Sequence, residues 1–296
     1  MSTPAESDAL AASKGHNTAL RAVHGTAMSA LLAGLVALDW HVGERVIFAA
    51  TLAAVVAVGL IEFYRLSERA GAQPLTVFGV ACGVLLVGAQ WLRWSAADRP
   101  AIRIVDPVIL MGTLALLGAV AAHVMRRGVE GAWINIGATV LGLAFVWFLA
   151  SFLWGVREFG VGPLAMFVAT VKLSDVGAYF IGRDVGGPKL APTVSPNKTV
   201  SGAVGAVAAG VVAAVAFRLL LPDHSGGFSL AAAAVFGVVV TVFGMLGDLG
   251  ESVLKRSASV KDAGGLVPGF GGMLDVVDSL LGAAPVAFLL FAWGAA

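Results

Sequence analysis

Nine apolar runs of roughly membrane-spanning length constrain the fold of this sequence more than any other feature. A transmembrane helix needs about 20 mostly apolar residues. The sequence is 58% hydrophobic and 12% charged, whereas an average soluble domain is about 45–50% apolar and about 25% charged. It therefore predicts an all-α, polytopic integral membrane protein with about nine transmembrane helices. The predicted spans are 23–39, 46–63, 74–92, 104–124, 133–154, 161–181, 200–220, 228–246 and 279–293.

Composition divides the chain into three parts. Residues 1–20 are polar and rich in Ala and Ser, without apolar periodicity, and are predicted to form a flexible tail. Residues 21–130 hold the N-terminal transmembrane helices. Residues 131–296 hold the remaining spans together with two polar segments, and are predicted to be a C-terminal transmembrane catalytic region.

The distribution of Lys and Arg predicts the orientation of the chain. Cytoplasmic loops carry an excess of these residues, and here the larger share lies in the N-terminal tail and in every second loop after it. The N-terminus and the polar segments at 183–198 and 248–278 are therefore predicted to be cytoplasmic, in a bacterial-type inner (cell) membrane. The three Arg residues in the loop at 93–103 oppose this orientation.

Charge and cysteine content argue against two further classes of site. A net charge of +1 does not favour a basic surface for nucleic acid, so no nucleic-acid partner is predicted. The single cysteine, Cys82, lies in an apolar run, which excludes a disulfide within the chain and argues against a Cys-based metal site. Cys82 is interpreted as a small buried apolar side chain.

The first polar segment begins at the end of the sixth predicted span. Lys172 and Asp175 are three residues apart on one helix face, where charged side chains usually face a bundle interior or a watery cavity. Ser195 and Lys198 lie just before the seventh span, in a stretch typical of a helix start. Such a start is also suited to bind phosphate. The alternative is a Lys–Asp pair that only holds helices together.

The second polar segment starts with a charged helical face. Asp248, Ser252 and Lys255 are spaced so that they share this face, and Glu251 and Arg256 flank it. A spare carboxylate at Asp248, almost inside the membrane, would cost about 2.5–3.5 kcal/mol. This cost argues against the alternative of a merely solvated loop.

The same segment continues through a glycine-rich stretch to two further acidic residues. Lys261 precedes this stretch, which includes Gly271 and Gly272 and is too flexible for a helix. Asp275 and Asp278 then lie three residues apart at the start of the ninth span. Carboxylates hold Mg²⁺, which bridges substrate phosphates, while Lys, Arg and glycine N–H groups neutralise and approach phosphate oxygens. The pattern therefore favours a metal–nucleotide site.

Both polar segments resemble the motifs of phosphatidate cytidylyltransferases. That family has G-D-L-x-E-S, overlapping a signature S-x-x-K-R-x4-K-D that is followed by P-G-H-G-G-x-x-D-R-x-D. The resemblance covers about residues 130–290, and ordered blocks of this length are far more specific than one short motif. The matching positions are Ser174, Asp175, Ala178, Tyr179, Lys189, Leu190, Ala191, Pro192, Ser195, Pro196, Lys198, Thr199, Gly247, Asp248, Leu249, Glu251, Ser252, Lys255, Arg256, Lys261, Asp262, Pro268, Gly269, Gly271, Gly272, Asp275 and Asp278.

The resemblance implies an activity and a set of roles. The implied reaction transfers CMP from CTP to phosphatidate, giving CDP-diacylglycerol and pyrophosphate, with Mg²⁺ or another divalent cation as cofactor. CTP, phosphatidate and membrane lipid are the implied partners, and a homodimer is compatible with the resemblance. The implied catalytic residues are Asp248, Ser252, Lys255, Arg256 and Asp275. The implied substrate-binding residues are Asp175, Ser195, Lys198, Lys261, Gly271 and Gly272. The implied metal ligands are Asp248, Asp275 and Asp278.

Two positions depart from the family motif. Phe270 stands where the motif has His, and Val276 stands where it has Arg. Each removes a group that could contact phosphate, unless a nearby cation such as Arg183 replaces it. Three alternatives stay open. One is another CTP-using lipid enzyme, such as a polyprenol kinase, or a cytidylyltransferase for an unusual lipid, and a second is a transporter. The third, which Phe270 and Val276 favour, is a diverged, inactive relative that only binds lipid or a partner protein.

Overall fold

The structure is a computed structural model that describes residues 45–96, 106–264 and 271–294. Within these residues, eight helices are long and apolar enough to cross a membrane. Many large apolar side chains on their surfaces are exposed, as helices in contact with lipid require. The helices are α1 Val46–Arg69, α2 Thr76–Ser95, α3 Pro107–Arg127, α4 Ala132–Glu158, α5 Val161–Val185, α6 Val200–Leu220, α7 Leu230–Ser257 and α8 Met273–Gly294.

The helices confirm the all-α, multi-pass prediction, and each matches one of the last eight predicted spans. The predicted tail and the first predicted span, 23–39, lie outside the described residues, and the division into an N-terminal and a catalytic region stays a prediction. Helix α7 extends eleven residues past its predicted end at 246, and α8 begins six residues before its predicted start at 279. Many polar residues that were predicted to lie in loops therefore lie on helical extensions.

The starts of α6 and α7 show why these helices begin where they do. Thr199 precedes α6, and its Oγ1 accepts a hydrogen bond from the Gly202 N–H at 3.1 Å. Ser229 precedes α7, and its Oγ accepts from the Ala232 N–H at 3.1 Å. Both hydroxyls satisfy N–H groups that have no partner inside the helix. The helix start predicted just before the seventh span is therefore confirmed.

A short β-hairpin between α5 and α6 was not predicted. Its strands, β1 Lys189–Ala191 and β2 Ser195–Thr199, pair antiparallel. Within the described residues, these two strands form a two-stranded sheet. The Nε of Arg256, in the last turn of α7, donates to the Val194 carbonyl oxygen at 3.1 Å. This bond ties the hairpin to the same end of the bundle as the C-terminal end of α7.

Glycine contacts bring α5 close to α6 and α7 close to α8. A Cβ on Gly177 of α5 would lie 2.8 Å from the Gly205 carbonyl oxygen of α6. A Cβ on Gly247 of α7 would lie 2.8 Å from the Gly282 Cα of α8, and one on Gly282 would lie 2.5 Å from the Gly247 Cα. Real Cβ contacts are essentially never shorter than 3.0 Å, so both crossings need glycine. Small residues allow such close approach in lipid.

Apolar packing forms two clusters that share α8. The first includes Phe63 of α1 and Leu274 of α8. The second includes Phe167 of α5, Phe236 of α7 and Phe291 of α8. The position of α8 therefore depends on packing against the N-terminal helices as well as on packing against its C-terminal neighbours.

Candidate active site

Three carboxylates from two helices meet at one end of the bundle. Asp248 and Glu251 lie on α7 and Asp278 lies on α8, and their ligand oxygen atoms all fall within 4.8 Å of one another. We call these three residues the acidic trio; the rest of the described chain offers no comparable group of three. Helices α7 and α8 cross at Gly247 and Gly282. This crossing is next to Asp248 on α7 and one helical turn from Asp278 on α8. The close approach of the two helices therefore brings the trio together.

Glu251 is the least satisfied member of the acidic trio. Its side chain is fully buried. Its Oε2 accepts a hydrogen bond from Lys255 Nζ at 2.8 Å, but its Oε1 has no hydrogen-bond partner. A buried polar atom without a partner is costly and calls for a ligand or another explanation. Glu251 is the Glu of the G-D-L-x-E-S motif and flanks the predicted helical face, but no metal role was predicted for it.

The other two carboxylates of the trio have polar neighbours. Asp248 Oδ2 lies 2.6 Å from Lys198 Nζ, which β2 supplies, and its Oδ1 lies 3.5 Å from the Ser252 hydroxyl. Asp278 Oδ1 accepts from the Ser279 N–H at 2.5 Å and from the Ser279 hydroxyl at 3.1 Å. The hairpin, whose strands were not predicted, thus contributes a cation to the site.

Asp275 stands apart from the acidic trio. Its Oδ1 accepts from Lys255 Nζ at 2.5 Å, and its Oδ2 accepts from the N–H groups of Ala263 at 2.9 Å and Gly272 at 2.7 Å. Lys255 is therefore shared between Asp275 and Glu251. Each of these two groups already has strong partners. The metal role of Asp275 and the catalytic role of Lys255 stay predictions.

Lys172 and Asp175 bring α5 to the same site. Lys172 Nζ lies 3.8 Å from Asp175 Oδ2 and donates to the Val276 carbonyl oxygen of α8 at 2.8 Å. Val276 itself packs against the first apolar cluster. Arg183, suggested from the sequence as a replacement cation, pairs with its neighbour Asp184 at 2.7 Å. Lys172 thus places a cation on the backbone of residue 276.

The remaining predicted residues lie around this site or in the segments leading to it. Ser195 is half-buried in β2, Arg256 is exposed and holds the hairpin, and Lys261 is exposed just after α7. Gly271 has a φ of 95°, and a Cβ there would lie 2.5 Å from Asp275 Oδ2, so glycine is required on both counts. The motif positions 268–270, which include Phe270, lie outside the described residues.

Sequence reasoning also missed Glu62 of α1. Its carboxylate accepts hydrogen bonds from the N–H groups of Met273 at 3.0 Å and Leu274 at 2.8 Å, at the start of α8. An acidic residue inside an apolar span is unusual and frequently functional, and this was the signal that could have identified it.

The donor set of the acidic trio fits a divalent cation. Three carboxylates supply the hard oxygen ligands that Mg²⁺, Mn²⁺ and Ca²⁺ prefer, and the buried Oε1 of Glu251 is without a hydrogen-bond partner. Mutual repulsion of three carboxylates this close would be relieved by a cation between them. Lys198 beside Asp248 places a positive charge at the edge of the same group, where an anionic ligand of the metal would arrive.

Comparison with known proteins identifies the family. The sequence model of the "Cytidylyltransferase family" matches residues 20–293. The phosphatidate cytidylyltransferase of Brucella suis biovar 1 (strain 1330) is 35% identical over 233 residues, covering 74% of this chain and 84% of the relative. The protein of the same name from Bacillus subtilis (strain 168) is 36% identical over 163 residues, covering 55% of this chain and 59% of the relative. The one from Thermotoga maritima (strain ATCC 43589 / DSM 3109 / JCM 10099 / NBRC 100826 / MSB8) is 30% identical over 189 residues, covering 63% of this chain and 70% of the relative. The chain belongs to the cytidylyltransferase family, whose members are nucleotidyltransferases.

Proposed function

We propose that this protein is a phosphatidate cytidylyltransferase, which transfers CMP from CTP to phosphatidate and gives CDP-diacylglycerol and pyrophosphate. Its family membership and the activity named for its relatives support this proposal. The observation that carries it is the acidic trio with Lys198 at its edge, formed within the family's own motif positions.

The reaction depends on stabilising negative charge more than on proton transfer. A phosphate oxygen of phosphatidate attacks the α-phosphorus of CTP. The new O–P bond forms as the bond from the α-phosphorus to the bridging oxygen breaks, and the electron pair leaves with pyrophosphate. A phosphomonoester is largely dianionic at pH 7, since its second pKa is about 6. The protein therefore has to position two anionic substrates and stabilise the leaving group.

We assign Mg²⁺, or a similar divalent cation, to the acidic trio. Bound there, the cation would supply positive charge to the nucleotide phosphates and to the departing pyrophosphate. Asp248 and Glu251 would hold it from α7, and Asp278 would hold it from α8. In this proposal Asp275 has a positioning role in place of the predicted metal role, because it binds Lys255 and two backbone N–H groups.

We assign Lys198 to a phosphate group of the nucleotide. Its ammonium lies 2.6 Å from a carboxylate oxygen of Asp248, so it would supply positive charge to a phosphate group held beside the acidic trio. Ser252 and Arg256 line the same end, with Ser252 against Asp248 and Arg256 on the hairpin. The other residues proposed to contact substrates are Asp175, Ser195, Lys261, Gly271 and Gly272.

We further propose that this end of the bundle is cytoplasmic in a bacterial-type inner membrane. The excess of Lys and Arg in the tail and alternate loops supports this orientation. The bond from Arg256 to Val194 supports a single site built from both polar segments. A homodimer stays a prediction.

The test is turnover of CTP with phosphatidate by the purified protein in detergent, with Mg²⁺ present. The expected result is liponucleotide and pyrophosphate in equal amounts. A CTP-dependent lipid kinase would instead release CDP, and an inactive relative would release neither product. The Glu251→Gln variant, which keeps the shape and removes one charge, controls for contaminating activity. Formation of CDP without pyrophosphate would overturn the proposal.

A further inference from the structure

Glu62 of α1 caps a helix that begins 211 residues later in the chain. Its side chain is only 2% exposed, and its two carboxylate oxygens accept from the first two N–H groups of α8, those of Met273 and Leu274. These N–H groups have no partner within α8. A negative charge at this position is also favoured by the helix dipole. Glu62 therefore satisfies the start of α8 from outside that helix.

Two glycines shape a slot for the Glu62 carboxylate. A Cβ on Gly264 would overlap Glu62 Oε1, and a Cβ on Gly272 would overlap Glu62 Oε2. Larger residues at either position would push the carboxylate away from its N–H donors. The contact between α1 and α8 thus depends on the absence of side chains at Gly264 and Gly272 as well as on Glu62 itself.

The contact at Glu62 is one helical turn from the acidic trio. Asp278 follows Leu274 by four residues, so it lies on the same face of α8 in the next turn. The crossing of Gly247 with Gly282 fixes how close α7 and α8 are, but small residues place little restriction on how α8 slides or rotates. The two hydrogen bonds to Glu62 restrict this sliding and rotation at the end of α8 where Asp278 lies.

We propose that Glu62 is a positioning residue of the active site, which caps α8, holds Asp278 within the acidic trio and thereby sets the affinity of the trio for a divalent cation. This inference rests on the proposed function only in taking the trio as the metal site. It also gives the N-terminal helices a role in the site, because α1 holds the helix that carries one of its ligands.

The test is Mn²⁺ binding to the full-length protein in detergent, titrated by electron paramagnetic resonance without CTP or lipid. Glu62→Gln keeps the size of the side chain but turns a donor N–H₂ toward a backbone N–H, so one bond is lost. Groups that orient metal ligands change affinity by about 10–100-fold when altered, and we expect the Mn²⁺ dissociation constant to rise by about that factor. Glu68→Gln is the matched control, since Glu68 is an exposed residue of the same helix, and its expected change is less than about twofold.

A purely structural role for Glu62 would lower the melting temperature without changing Mn²⁺ affinity. An unchanged dissociation constant in folded Glu62→Gln therefore overturns the inference. If that variant does not fold, Gly264→Ala displaces the carboxylate without removing it, and an unchanged constant there has the same meaning. A wild-type protein that binds no Mn²⁺ also overturns it. Mn²⁺ binding that depends on Glu62, in a protein that makes no liponucleotide, would overturn only the proposed function.

Discussion

Two sets of carboxylates lie at the same end of this bundle, and their surroundings differ sharply. The acidic trio crowds its oxygens within 4.8 Å and leaves Glu251 Oε1 without a hydrogen-bond partner. The second set, which we call the capping pair, consists of Glu62 and Asp275. Each of its four oxygens accepts a hydrogen bond from a backbone N–H or from Lys255.

This contrast teaches that the partners of a carboxylate, and not its place in a motif, indicate its role. A carboxylate that is bound on both oxygens by backbone N–H groups or by a buried ammonium, as in the capping pair, must give up those bonds before it can bind a cation. Crowded carboxylates gain from a cation because it reduces their repulsion. Asp275 and Asp278 are three residues apart in one motif, yet they belong to different sets.

The largest expected effect comes from removing one charge from the acidic trio. Glu251→Gln keeps the shape and deprives the metal of one anionic ligand, so we expect turnover to fall by about 100-fold or more. The Mg²⁺ concentration needed for half-maximal activity should rise as well. Pyrophosphate release measured against Mg²⁺ concentration tests both. The control is Glu158→Gln, an exposed residue in the last turn of α4, and near-normal Mg²⁺-dependent turnover in Glu251→Gln would exclude the trio as the metal site.

A smaller effect is expected from separating the two helices that carry the trio. In Gly282→Ala the new methyl would meet the Gly247 backbone at 2.5 Å, so α7 and α8 must move apart. Overpacking costs about 1–3 kcal/mol, and a shift of about 1 Å in a ligand reduces turnover by roughly tenfold or more.

Gly137→Ala is the matched control for the helix-separation experiment. A Cβ at Gly137 of α4 meets nothing within 4 Å, and Ala favours a helix by about 1 kcal/mol over Gly. Thermal unfolding and turnover should both stay near wild type in this control. If Gly282→Ala also behaved like wild type, the crossing at Gly247 would not be what brings the trio together.

Hydropathy predicted most of the fold, because the spans are long and local in sequence. Helical spacing also placed Asp248, Ser252 and Lys255 on one face of what is α7. The ends of α7 and α8 were less predictable, since polar residues that continue a helix resemble a loop by composition. The hairpin at 189–199 was missed for a similar reason, since its strands are short and polar and their position depends on a contact with Arg256.

The division of the carboxylates could not be predicted from local patterns. Glu62 contacts residues 211 and 212 positions away, and nothing local indicates that pairing. Asp275 looked like a metal ligand because it lies in a motif of acidic residues and glycines. Only the three-dimensional position of Lys255 and of the N–H groups of Ala263 and Gly272 showed how its oxygens are used.

Asp275→Asn tests the boundary between the two sets directly. The change removes a charge from the partner of buried Lys255, and a buried hydrogen bond to a charged group is worth about 1.5–3 kcal/mol. We therefore expect lower thermal stability, with Mn²⁺ affinity per folded molecule within about threefold of wild type. Asp278→Asn is the paired variant, and its Mn²⁺ affinity should fall much further. If Asp275→Asn weakened Mn²⁺ binding as strongly as Asp278→Asn, Asp275 would be a ligand, as its motif position predicted.

The smallest effect is expected at Asp262, which is acidic and lies in the same motif but belongs to neither set. Its side chain is exposed, and the bond that fixes this segment comes from the backbone N–H of the next residue, Ala263, to Asp275. Asp262→Asn keeps that backbone bond and removes only a solvated charge. Exposed substitutions of this kind change stability by about 0.5 kcal/mol or less, so turnover and Mn²⁺ affinity should both stay within about twofold. A loss of turnover comparable to that of Glu251→Gln would mean that Asp262 moves into the site when substrate binds. The segment after α7 that carries Asp262 would then have to be considered together with the acidic trio and the capping pair.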